Sequence, residues 1–198
     1  MAKLLNYDKW ETRTVLVVNM QTETTDLQDE LAMMKIPHEI LDCQDPELET
    51  KFKKGKYCGI IISGGGYDTF KPSIPKSMLE AKVPKLGICY GHEMLGELLG
   101  SKLVDCNPPM GEVSDVMARV YKCKLFKEEQ DTIAKMHHMK MLDKVPEGAD
   151  IIASTDMTFV AGFEHTKSKT WGLQFHPERG VLAQEVFKNF YKICHKEE

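Results

Sequence analysis

The sequence predicts an α/β fold: a doubly wound, mostly parallel sheet with antiparallel strands added at its edge. Three observations predict it. Short apolar runs rich in β-branched residues alternate with segments of helical spacing through the first half of the chain. Glycines cluster at the carboxyl ends of two of those runs, where parallel sheets bind ligands. The second half loses the alternation and carries short β-like runs joined by polar turns.

The elements follow in order. Arg13 to Asn19 contains Val15-Leu16-Val17-Val18, a continuous run suited to a strand covered on both faces. Thr24 to Lys35 places Leu27, Leu31 and Met34 at helical spacing, and Pro37 stops it. His38 to Leu41 reads as a short strand and Pro46 to Lys54 as a poor helix. Cys58 to Ile62 is a third strand, ending at Ser63-Gly64-Gly65-Gly66. Pro75 to Lys82 is a helix, Lys85 to Ile88 a fourth strand, and Tyr90 to Leu99 a helix stopped at Gly100. Val113 to Lys124 and Phe159 to Phe175 read as antiparallel edge additions. Arg179 to Cys194 closes as an amphipathic helix with Leu182, Val186, Phe187, Phe190 and Tyr191 on one side. No repeat or Pro/Gly/Ser-rich linker interrupts the chain, so residues 1–198 are expected to form a single domain.

Composition narrows the function classes. Of 198 residues, 42% are hydrophobic and 28% charged, an ordinary globular balance. The net charge, 26 − 30 = −4, gives no general pull toward nucleic acid or anionic membrane. No apolar run has membrane-spanning length, and the N-terminus has no signal-peptide pattern, so a cytoplasmic protein is expected. Six cysteines stand singly, without CxxC, which argues against a disulfide scaffold or structural zinc. His137 and His138 are adjacent, so in a strand they point to opposite faces; no metal site and no cofactor is expected.

The chemistry concentrates in three places. Gly87-Ile88-Cys89-Tyr90-Gly91 is a G-x-C-x-G at a strand-to-helix junction, the thiol counterpart of the G-x-S-x-G elbow. Its glycines relieve crowding around a tight, strained turn. The sulfur then stands at a helix N-terminus, whose dipole favours thiolate. Phe175-His176-Pro177-Glu178 follows a strand read from Thr170 to Phe175. If the extended backbone continues, His176 and Glu178 project to one face, and the carboxylate orients the imidazole. Cys89, His176 and Glu178 are the parts of a thiol hydrolase. Ser63-Gly64-Gly65-Gly66 suits either a phosphate cradle or an oxyanion hole. The P-loop pattern is absent, since Tyr67-Asp68-Thr69 follows, and G-x-G-x-x-G is absent too. An oxyanion hole with the Gly65 and Tyr90 N–H groups as donors is therefore expected.

Gly87-Ile88-Cys89-Tyr90-Gly91-His92-Glu93, Ser63-Gly64-Gly65 and Gly172-Leu173-Gln174-Phe175-His176-Pro177-Glu178 together resemble the class I glutamine amidotransferases, across the whole span from the Val15 strand to the Cys194 helix. Softer features make the chain most similar to the glutaminase part of GMP synthetase, especially its separate-subunit form. These are Tyr90, His138 ahead of Val145-Pro146-Glu147-Gly148, Ser154-Thr155-Asp156, and Gly162-Phe163 before Trp171. The resemblance implies a flavodoxin-like fold and a Cys89-His176-Glu178 triad that hydrolyses glutamine. It implies substrate contacts from Gly64 and Glu93, and delivery of ammonia to a separate ATP-dependent synthetase, since no ATP-binding loop occurs here. It implies a partner-facing surface at His138 and Lys140.

Some residues depart from the family pattern. Glu93 stands where Gln usually helps hold the substrate, and a carboxylate there would attract the α-ammonium of glutamine but repel its α-carboxylate. Gly66 replaces a common Pro. His138-Met139-Lys140 replaces His-x-Asp, reversing a charge where the synthetase is expected to dock. Two alternatives stay open on these differences: a stand-alone γ-glutamyl hydrolase on the same fold, and a non-catalytic regulatory module.

Overall fold

The computed structural model describes residues 14–65 and 73–195. Gly66 and the Tyr67-Asp68-Thr69 segment lie outside the described residues, as does the N-terminal stretch through Arg13.

β1 (Val15–Met20) is built from the predicted apolar run, and its side chains alternate between two cores. Val15 and Val17 face a cluster with Leu27 and Leu31 of α1 (Thr25–Met33) and Val186, Phe187 and Phe190 of α5 (Ala183–Cys194). Leu16, Val18 and Met20 face the opposite cluster. There Leu48 of α2 (Leu48–Gly55), Met78 of α3 (Lys76–Leu79) and Leu95 of α4 (Tyr90–Leu98) cover the sheet. A strand buried on both faces has no solvent side, which explains its unbroken apolar sequence.

The remaining strands are β2 (His38–Asp42), β3 (Gly59–Gly65), β4 (Lys85–Ile88), β5 (Leu103–Val120), β6 (Gln130–Leu142), β7 (Asp150–Thr155), β8 (Gly162–His165) and β9 (Thr170–Leu173). Among the described residues they form a nine-stranded sheet in the order β2-β1-β3-β4-β9-β8-β7-β5-β6. The first five are parallel; β8, β7, β5 and β6 continue the sheet antiparallel. The doubly wound, mostly parallel reading thus describes the part that carries the elbow.

Three elements differ from the sequence reading. The Phe159 to Phe175 region is not wholly antiparallel: β9 pairs parallel with β4, with Ile88 opposite Leu173. β5 begins at Leu103, well before Val113, and β6 has no counterpart in the sequence reading. β5 is largely solvent-exposed along its length, so it lacks the apolar alternation that marks a strand; its pairing with β6 supplies its order. The 179–194 helix starts at Ala183, because Pro177–Arg179 forms a separate 3-10 turn.

Two local features fix the ends of β4 and α4 that lie away from the elbow. Lys85 is 3% exposed at the start of β4, and its Nζ donates to the Ala81 and Val83 carbonyls at 2.5 and 3.2 Å. α4 ends where the Gly100 N–H bonds the Glu97 carbonyl, with Gly100 at φ +92°. All six cysteines are free. Among the described residues no helix is long and apolar enough to cross a membrane.

Candidate active site

β4 runs into the core and stops at Ile88. Cys89 follows at φ 51°, ψ −106°, a conformation disfavoured for any side chain, and α4 begins at Tyr90. The turn is held from two sides. The Cys89 N–H donates to the Leu173 carbonyl at 2.8 Å, fixing the elbow to β9, and the Cys89 carbonyl accepts from the Glu93 N–H in the first turn of α4. The flanking glycines are required by contact: a Cβ on Gly87 would lie 2.3 Å from the Gly91 carbonyl oxygen, and one on Gly91 would lie 2.3 Å from that of Ile62. Backbone cannot move aside as a side-chain tip can, so only glycine fits.

His176 arrives on the segment after β9. Its N–H donates to the Lys135 carbonyl at 2.8 Å, which ties it to β6. Its Nδ1 lies 2.7 Å from Glu178 Oε1, and both side chains are 9% exposed. The strand does not continue through this segment. β9 ends at Leu173 and Pro177 opens the 3-10 turn, so His176 and Glu178 meet across a turn rather than by strand alternation. With Nδ1 bonded to the carboxylate, Nε2 is the nitrogen left for chemistry. Arg179, at the end of the turn, pairs with Asp26 of α1 at 2.9 Å and anchors it.

Cys89 lies between two groups. Its Sγ donates to the His137 carbonyl oxygen at 3.3 Å, and it hydrogen-bonds the His176 imidazole. Burial by itself pulls the His176 pKa down. The bonds to Cys89 and Glu178, with their charges, outweigh burial and push it up to about 10. The site is therefore built to hold an imidazolium.

The glycine loop reaches the same point. A Cβ on Gly64 would lie 3.0 Å from His176 Cε1 and 3.6 Å from Cys89 Cβ, so bare backbone passes beside both side chains. Gly65 packs against Met20 and the Tyr90 ring. Ser63 secures the loop: its Oγ accepts from the Met20 N–H at 2.9 Å and donates to the Gly64 carbonyl at 2.8 Å. Tyr90, 2% exposed, places its N–H at the first position of α4, where helical N–H groups have no intrahelical acceptor.

Other predicted residues take different places. Glu93 is 0% exposed and accepts from Gln174 Nε2 at 3.0 Å, a core setting for a carboxyl group. Burial pushes its pKa up to about 8. His138 is 3% exposed, with Nδ1 at 2.8 Å from the Lys140 carbonyl oxygen and 3.2 Å from Cys106 Sγ. It faces inward, because strand alternation turns it to the buried side of β6 and leaves His137 outside. Lys140 is half-exposed and pairs with Asp105 at 2.5 Å. Sequence reasoning gives no role to Gln174 or to the His137 carbonyl. Gln174 lies inside the quoted motif, but a backbone carbonyl carries no sequence signal. Among the described residues no group of His, Cys, Asp and Glu side chains is arranged to hold a metal ion.

Comparisons with known proteins place the chain in a family. The family model for class I glutamine amidotransferases matches residues 16–194. The chain is 36% identical over 151 residues to a glutamine-hydrolyzing GMP synthase of Clostridium perfringens, covering 73% of this chain and 30% of that protein. It is 28% identical over 172 residues to one subunit of the glutamine-hydrolyzing GMP synthase of Methanococcus vannielii, covering 85% of this chain and 89% of that subunit. The matched region is thus under a third of the first of these relatives and nearly all of the second. A solved structure of a candidate GMP synthase subunit from Thermoplasma acidophilum has the same fold, with TM-score 0.78 at 21% identity over 91% of this chain and 93% of that one. A tight cysteine elbow against a carboxylate-backed histidine, on a sheet of this order and with this family match, leads to one conclusion: the chain belongs to the class I glutamine amidotransferases.

Proposed function

We propose that this chain is a glutaminase subunit that releases ammonia from glutamine for a separate ATP-dependent synthetase, the acceptor being XMP and the product GMP. The observation that carries the reading is the Cys89-His176-Glu178 arrangement, with Nδ1 of the histidine bonded to the carboxylate at 2.7 Å. The Methanococcus vannielii relative, a synthase subunit covered over 89% of its length, supports the separate-partner form. The reading treats residues 1–198 as one amidotransferase domain working in the cytoplasm.

Cys89 and His176 react as a thiolate–imidazolium pair, the proton having passed from Sγ to Nε2, and the thiolate attacks the side-chain amide carbon of glutamine. The developing oxyanion is held by the Gly65 and Tyr90 N–H groups. The imidazolium, supported by Glu178, protonates the departing nitrogen, and the C–N bond breaks to leave a glutamyl thioester and ammonia. Water then gives a proton to Nε2 and attacks the thioester carbon. Glutamate leaves as the thiolate–imidazolium pair is restored. Gly64 borders the substrate amide in this reading.

The test is glutamate release from glutamine by the pure chain, with and without ATP, XMP and an ATP-dependent synthetase. Strong stimulation by the full mixture, abolished by Cys89→Ala, is the expected result. Turnover of γ-glutamyl dipeptides in preference to glutamine would replace this reading with the γ-glutamyl hydrolase one. Absence of any turnover, together with no covalent labelling of Cys89 by a glutamine-like electrophile, would overturn both.

A further inference from the structure

Glu93 and Gln174 are both 0% exposed, and Gln174 Nε2 donates to Glu93 Oε1 at 3.0 Å. The two other oxygens of this contact, Glu93 Oε2 and Gln174 Oε1, are buried without a hydrogen-bond partner among the described residues. As a carboxylate, Glu93 has no donor to offer, so both oxygens stay unsatisfied acceptors in the core and a charge is buried beside them. A single proton removes all three penalties. On Glu93 Oε2 it makes the acid a donor to Gln174 Oε1 while Oε1 still accepts from Nε2. The carboxyl and the carboxamide then close a ring of two hydrogen bonds.

We infer that Glu93 is a protonated carboxylic acid at neutral pH, paired with Gln174 through two hydrogen bonds, and that this pair is a positioning device for the active site and not a substrate contact.

The placement gives the pair its role. Glu93 is one helical turn beyond the nucleophile, its N–H bonded to the Cys89 carbonyl at 3.1 Å. Gln174 is two residues before His176, its N–H bonded to the Ala161 carbonyl at 2.8 Å. The pair therefore ties α4, which carries the elbow, to the segment that carries His176. The surroundings favour the neutral acid. Burial acts first, and Glu97 on the same helix adds repulsion. On β5, Cys106 is a thiol whose own pKa is raised, first by burial and then by Glu93. On β6, Lys140 is the facing cation, but its ammonium is held by Asp105 at 2.5 Å, and the neighbouring His138 is kept toward its neutral form by burial. Together these set the proton's loss near pH 8. The positioning role rests on the glutaminase reading; the protonation does not.

Glu93→Gln tests it, because the new amide N–H makes the same donation at every pH. Melting temperatures of wild type and E93Q are compared from about pH 4 to about pH 10. Relative to E93Q the wild type should lose stability as pH rises from the ordinary carboxyl value of 4.5 to about 8, and the gap should hold level above that. A gap that is constant with pH overturns the protonation. A second readout needs no variant: the infrared spectrum of the wild type, labelled with carbon-13 at glutamate carboxyls, should show a carboxylic acid band at neutral pH that disappears through about pH 8. Its absence overturns the protonation too. For positioning, the wild-type glutaminase kcat should fall about tenfold per pH unit above that point, with KM steady, while E93Q stays flat. A fall in the wild type carried by KM instead, or no fall, overturns the positioning role. Should the wild type hydrolyse no glutamine at any pH, the glutaminase reading fails, while the melting and infrared results still decide the proton.

Discussion

Glu178 Oε1 lies 2.7 Å from His176 Nδ1, and the bond spans a single 3-10 turn opened by Pro177. Proline fixes its own φ and needs no N–H partner, so the turn is stiff where the imidazole must be aimed. The carboxylate both selects the tautomer and supports the charged ring.

Glu178→Gln keeps the shape and removes the charge. Glutamine turnover should fall about 100-fold or more, because the amide can no longer support the imidazolium. A titration of His176 by NMR should show its pKa well below the wild-type value of about 10. An unchanged pKa would mean that Cys89 alone sustains it.

His176 also links stability to pH. Its pKa in the folded chain is raised from 6.5 to about 10, so its contribution is full below pH 6.5 and is lost as pH rises toward 10. The stability difference between wild type and His176→Gln should therefore shrink across that interval in denaturant titrations at several pH values.

The elbow holds Cys89 in a strained backbone conformation. Cys89 at φ 51° is a conformation that glycine adopts without strain. Cys89→Gly should be inactive yet more stable than Cys89→Ala by about 1 kcal/mol, a rise of about 2–4 °C in melting temperature for a chain of this size.

Gly91→Ala forces a Cβ to 2.3 Å from the Ile62 carbonyl oxygen. Backbone on one side and helix on the other leave no room, so the variant should lose about 1–3 kcal/mol of stability. Alkylation of Cys89 by iodoacetamide should slow in parallel. Gly111→Ala, where a Cβ would meet nothing within 4 Å, is the control expected to change neither.

Ser63→Ala removes the acceptor of the buried Met20 N–H and the donor to the Gly64 carbonyl. The unsatisfied N–H should cost about 1–3 kcal/mol. If the loop supplies the oxyanion donor, kcat should fall while binding of unreacted glutamine by Cys89→Ala/Ser63→Ala matches that of Cys89→Ala.

The legible parts of the sequence are those where local pattern and tertiary setting agree. The Val15 run, the Lys85 to Ile88 strand and the glycine-flanked Cys89 stand out, because burial on both faces and backbone crowding leave few residue types possible. β6 does not, since three of its four buried positions are Ala134, Met136 and His138, which carry little of the usual strand signal, and only Leu142 at its end is a strongly apolar residue. An extended backbone would also bring His176 and Glu178 to one face, yet it is the proline turn that produces the contact. The contacts read for Glu93 and His138 rest on the family resemblance, which carries no information about their burial. Here each has a buried polar neighbour, Gln174 and Cys106, distant in sequence and so invisible to any local pattern.

The pairing of β9 with β4 bears on how the molecule comes into being. Ile88 and Leu173 are partners although most of the chain's second half lies between them. A nascent chain that has exposed its elbow on emerging from a ribosome still lacks the strand that takes the Cys89 N–H, and lacks the histidine that follows it. The thiol thus stays unarmed until the antiparallel strands have been made and the late strand slots in beside β4. Long-range closure of that kind is slow relative to local hairpins. Assembly of the fold and the meeting of Cys89 with His176 are then one event.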